Sequence, residues 1–121
     1  MSIIHSLIAR HPDIVLCEHS EHTGNFLQIS RIILQKVIKP ETKQSIVYDN
    51  HKFLYINENK ITYLCLIEGL SDSVAFAFLN DIKKKLLQSY DYNSLCNYNT
   101  FQLNEFTDTL KQFMVRYIIN I

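Results

Sequence analysis

A chain of 121 residues, 47% apolar and 20% charged, is one folded domain (1–121) with a single core, neither disordered nor long enough for two. Twelve Lys and Arg balance twelve Asp and Glu, so no net field draws nucleic acid or an anionic membrane. Two glycines are too few for a phosphate-cradling loop or a G-x-S-x-G elbow, and no apolar run approaches the roughly 18 residues of a membrane span, which predicts a soluble chain.

Residues 3–10 (IIHSLIAR) and 14–19 (IVLCEH) are short and rich in β-branched residues, and the Pro12-Asp13 turn between them predicts a hairpin. Thr23 or Asn25 supplies a capping oxygen for a helix in which Phe26, Ile29, Ile33 and Val37 recur at helical spacing, and Pro40 stops it. Three strands follow, at 45–49, 51–57 and 60–68, punctuated by Asp49-Asn50 and by Asn57-Glu58-Asn59. In the last of these Ile61, Tyr63, Cys65 and Ile67 alternate with Leu64 and Leu66, so both faces are apolar and the strand is central. The mixed 45–49 segment suits an edge.

A helix over 71–90 opens at Ser71 or Asp72 and carries Ala75, Phe78, Leu79, Ile82, Leu86 and Tyr90 on one stripe. The polar stretch DYNSLCNYNT reads as a surface loop, and a last helix over 103–119 presents Leu103, Phe106, Leu110, Phe113, Met114 and Tyr117. The order β-β-α-β-β-β-α-α places the fold in the α+β class, an antiparallel sheet with one helix on one face and two on the other.

Chemistry-bearing constellations are weak. His19 and His22, beside Glu18 and Glu21, lack the i, i+4 spacing of helical zinc ligands and a third ligand, so they read as turn residues and not as a metal site. His5, His11 and His51 read as surface or hydrogen-bonded side chains. Cys17 and Cys65 lie in strand-like runs and read as reduced, packed thiols in a cytosolic protein, not nucleophiles. Lys83-Lys84-Lys85 reads as a solvated helix face. No catalytic residue, metal, cofactor or small-molecule substrate is expected.

One feature resists a purely structural reading. In the first helix Leu27, Ile32, Leu34 and Ile38 are apolar as well, and on a wheel the apolar set spans about 240°, against the stripe of about 100° that a sheet-packed helix needs. The excess is either buried by tertiary neighbours or lines an apolar groove with the edge strand, where Ile46 and Tyr48 share a parity.

The pieces LIAR, GNF, DNHKFLYI, YLCL, AFAFLNDIKKKL and NEFTDTL, in that order, resemble a longin domain, and most nearly those of the tetanus-insensitive vesicle-associated membrane proteins, the longin-bearing R-SNAREs; the likeness covers about residues 3–113. The resemblance implies a profilin-like five-stranded antiparallel sheet and a protein that is not an enzyme. It implies a regulator of membrane fusion and SNARE sorting on the cytoplasmic face of vesicles or endosomes, which folds back on its own SNARE motif in cis and binds sorting adaptors or coat proteins. Other SNAREs are partners of the full-length protein. A longin subunit of a vesicle coat or tethering complex is the alternative.

Carried onto this chain, the binding groove comprises Ile29, Ile32 and Ile33 of the helix with Gln44, Ile46 and Tyr48 of the strand. Three departures stand out: Gln44 replaces an apolar residue, Ile46 an aromatic and Ile32 a polar one. The loop 91–101 is also longer than its counterpart. The heptads and membrane anchor of an R-SNARE are not within these residues, which predicts either an excised N-terminal domain or a longin that stands alone.

Overall fold

In the computed structural model, which describes residues 2–36 and 42–117, five strands form one fully antiparallel sheet. Strands β1 (Ser2–Arg10), β2 (Ile14–Ser20), β3 (Thr42–Tyr48), β4 (His51–Glu58) and β5 (Ile61–Glu68) lie in the order β2-β1-β5-β4-β3. The helices are α1 (Phe26–Gln35), α2 (Asp72–Ser89), the single-turn α3 (Tyr92–Leu95) and α4 (Thr107–Arg116), which follows a 3-10 turn at Asn104–Phe106. The expected helical residues Val37 and Ile38, the stop at Pro40 and the final turn to Ile119 lie outside the described residues.

The alternation in β5 sorts the core into two layers. Ile61, Tyr63, Cys65 and Ile67 meet Ala75, Phe78, Leu79, Ile82 and Leu86 of α2 and Leu110 and Met114 of α4. Leu64 and Leu66 point the other way, joining Leu7 of β1, Phe53 and Tyr55 of β4, and Ile33 and Leu34 of α1. One helix therefore covers one face and two cover the other. The Ser71 hydroxyl accepts from the Val74 N–H at 3.3 Å and caps α2. The Cys17 and Cys65 thiols are buried, and burial raises both above their ordinary range, Cys17 to about 12. Thiols held in that state are poor nucleophiles.

Four details differ from the sequence expectation. Strand β3 begins at Thr42 rather than Ser45, because Thr42, Lys43 and Gln44 pair with Asn57, Ile56 and Tyr55; edge strands tolerate polar residues that propensity reads as loop. The β4–β5 hairpin turns at Asn59-Lys60, both at positive φ as a two-residue type I′ turn requires, with the Lys60 carbonyl accepting from the His11 N–H at 2.7 Å. The DYNSLCNYNT stretch is not merely a surface loop. It contains α3, capped by the Asp91 carboxylate on the Ser94 N–H, and it buries Leu95 completely. Finally, the lysine run is divided: Lys83 bonds Glu58 at 2.8 Å while Lys84 and Lys85 are exposed.

Because Leu64 is fully buried in the central strand on the face that a single helix covers, Leu64→Ala should lower the unfolding free energy by about 2–5 kcal/mol. Urea denaturation followed by circular dichroism measures it, and a loss below about 1 kcal/mol would show that α1 does not close over this strand.

Candidate functional site

Helix α1 lies across its sheet face with two unlike flanks. On the wheel, Ser30, Ile33 and Leu34 form the buried centre, and Arg31 lies toward β2, where its guanidinium grips the Glu18 carboxylate at 2.7 and 3.0 Å. Ile29 projects from the opposite side, toward β3, and Ile32 stands on the outer, solvent side of the helix. There Phe26, Ile29, Ile46 and Tyr48 are half-buried against the same core layer, and the Asn25 amide donates to the Tyr48 hydroxyl at 3.3 Å. Asn25 is the N-cap by position, its carbonyl accepting from the Ile29 N–H at 3.1 Å, but no side-chain cap bond is made at this helix start, by it or by Thr23.

The six residues expected to form the groove divide accordingly. Ile33 is buried and belongs to the core. Ile29, Ile46 and Tyr48 are half-buried against the core layer, Ile32 has 50% of its surface exposed, and Gln44 is exposed further along β3. Leu27, also exposed, lies instead on the β2 flank. There it lines a depression of about 370 Å³ with Ser20, Thr23, Gly24 and Phe26. Among the described residues the most exposed large apolar side chain is Val47, at 71%, on the parity opposite to Ile46; reading only one parity of the strand passes over it.

Two histidine expectations come out differently. His19 and His22 stay at the surface, His19 bonding Glu21 at 3.0 Å, and among the described residues no cluster of His, Cys, Asp and Glu is fit to hold a metal ion. His5 is neither a surface nor a fully satisfied residue. It is 0% exposed, its Nδ1 lies 2.6 Å from the Ser20 hydroxyl, and its Nε2 has no hydrogen-bond partner. Paired with Leu66, it shares with Leu7 and Ala9 the face of β1 that α1 covers, so it is buried by the helix above it. Burial lowers its pKa from 6.5 to about 4; the Glu18 carboxylate and a backbone hydrogen bond to His19 oppose that shift, while the Arg31 charge assists it.

A family profile described as Longin, regulated-SNARE-like domain, matches residues 16–113. The chain belongs to the longin family. It is 34% identical over 118 residues to vesicle-associated membrane protein 7B of Dictyostelium discoideum, covering 97% of this chain and 45% of that protein. To vesicle-associated membrane protein 7 of Homo sapiens it is 36% identical over 91 residues, 74% of this chain and 41% of the relative. The longin chain thus spans under half the length of the curated relatives it matches. None of its described helices is long and apolar enough to cross a membrane.

The longin domain's buried His5 sets a pH response. Above pH 6.5 the imidazole is neutral in both folded and unfolded chains; between 6.5 and about 4 the unfolded chain binds a proton that the folded chain refuses, so stability falls as pH falls. The loss attributable to His5 should be on the order of 3 kcal/mol by pH 4. Comparing denaturation midpoints of the native chain and His5→Leu at pH 7, 5.5 and 4 checks it: the variant should lose less stability over that range, and parallel curves would show that His5 stays solvated.

Proposed function

We propose that this longin domain regulates a vesicle R-SNARE by holding an apolar segment in the groove between α1 and β3. The segment is the SNARE motif of the same protein when the domain is closed, and a sorting adaptor or coat component when it is open. The observation that carries this reading is that Phe26, Ile29, Ile46 and Tyr48 pack half-buried at the margin of the core layer, with Ile32 half exposed on the same helix. A monomeric domain gains nothing from that surplus; a segment laid over it buries it. The relatives are named as vesicle-associated membrane proteins, which favours a SNARE regulator at an endomembrane over a coat subunit.

Tethering makes a weak groove sufficient. A segment on the same chain has an effective concentration of order millimolar, so a dissociation constant of about 100 µM favours the closed state roughly tenfold. That bias slows SNARE assembly and still lets an adaptor displace the segment.

Titrating isotope-labelled domain with a synthetic R-SNARE motif should shift backbone amides of Phe26–Gln35 and Thr42–Tyr48. In Ile46→Ser and Ile32→Ser the affinity should drop about tenfold, near 1.4 kcal/mol. The folding free energy should change by less than about 1 kcal/mol, because both side chains lie at the margin of the core. Parallel losses of stability and binding would place Ile46 in the core and refute the groove. Absence of shifts at millimolar motif would exclude closure on a SNARE segment.

A further inference from the structure

The helices on the two faces of the sheet are secured very differently. On one face α2 buries Ala75, Phe78, Leu79, Ile82 and Leu86 completely, is capped by Ser71, and is tied to β4 by Lys83–Glu58 and Lys52–Asp72. On the other face α1 buries only Ser30, Ile33 and Leu34 of its ten residues. The Ser30 hydroxyl donates to the Phe26 carbonyl of its own helix at 2.7 Å, so it secures nothing to the sheet. The start of α1 has no side-chain cap bond and no acidic residue in its first turn, and so short a helix is marginal without tertiary support. Its side-chain ties to the strands, Arg31–Glu18 and Asn25–Tyr48, sit at its margins.

Beneath α1 lies His5, fully buried, with Nε2 lacking a hydrogen-bond partner. A polar atom buried in that way favours any state that returns it to water. The charged and titratable groups facing it are Glu18 and His19 of β2 and Arg31 of α1; its β5 partner, Leu66, brings no charge. We propose that α1 is a releasable lid: it leaves the sheet as a unit while α2, α4 and the strands stay folded, and His5 sets how readily it leaves. Release wets the imidazole and uncovers Leu7, Phe53, Leu64 and Leu66, a face that α1 alone covers. It also removes the helical wall of the proposed groove, so release and groove binding exclude each other. The inference goes beyond the groove reading, because it rests on the buried side of the helix. Acid favours release. Burial holds the His5 pKa at about 4 under the lid against 6.5 in water, so below pH 6.5 the released state takes a proton that the covered state refuses.

Native-state hydrogen exchange tests this, in urea below the unfolding transition and with rates corrected for the intrinsic effect of pH. At pH 7 the amides of residues 30–35 should share one opening with a common urea slope, smaller than that of global unfolding. That opening should be on the order of a hundredfold more frequent than the one exposing residues 78–86. Between pH 7 and 5.5 it should grow about eightfold, and in His5→Leu it should become rarer and lose that growth. Ile82→Val weakens the α2 face, which stays folded during release. It should make the opening of residues 78–86 about fivefold more frequent and leave that of α1 unchanged. If His5→Leu does not fold, the pH series on the native chain and Ile82→Val still decide. Equal openings and urea slopes for α1 and α2, or an α1 opening that follows Ile82→Val, would overturn release, because α1 would then leave only with global unfolding. Exchange of each α1 amide at its own rate without urea dependence would overturn it in favour of fraying. An α1 opening that does not grow on acidification would overturn the part assigned to His5.

Discussion

Strand β5 is apolar on both faces and lies at the centre of a five-stranded sheet, so neither face of the sheet can be left to water. Everything else follows from how the two faces are covered. Five strands spaced about 4.8 Å apart span on the order of 20 Å, whereas one helix with its side chains is about 10–12 Å wide. Two long helices cover the α2–α4 face. On the other face α1 alone must suffice, and a single ten-residue helix leaves a strip of sheet beside it. The Arg31–Glu18 pair closes the β2 side of that strip and thereby orients α1, so the uncovered part falls between α1 and β3. The proposed groove would be a geometric remainder of the helix count.

The same asymmetry appears at the edges. The segment between α2 and α4 is long enough to lay α3 beside the sheet end, to accept the Arg10 side chain at the Tyr98 carbonyl, and to pair its backbone with β2. That segment closes one edge, while no described element closes the other.

Much of this was legible in the sequence, and for physical reasons. The period of two in β5 and the stripe Ala75–Phe78–Leu79–Ile82–Leu86 in α2 are set by burial, which acts on every residue of the element, so the pattern survives in composition alone. The surplus of apolar residues in α1 was legible for the same reason. Less legible were features set by tertiary partners. Lys43 and Gln44 are strand residues only because β4 pairs with them, Leu95 is buried only because the chain returns to β2, and His5 is buried only because α1 covers its face of β1. The groove residues fell between these cases. Helical spacing identifies Ile29, Ile32 and Ile33 as apolar, but only the position of α1 separates Ile33, which holds the fold, from Ile32, which stands on the outer side of the helix.

The modest size of the groove bears on how it works. Burying an Ile side chain completely is worth about 1.5–3 kcal/mol, and Ile29, Ile32, Ile46 and Tyr48 are already partly covered, so a segment laid on them gains only part of that from each. Lost translational and rotational freedom offsets much of the sum. Side-chain contacts alone therefore give weak, quickly reversed binding. Specific capture needs an additional term, and a tether, which removes most of the association entropy, supplies one. A ligand that uses the tether is restricted to the same molecule. On the proposed function, closure by the tethered segment and recruitment of a partner would compete for that one groove.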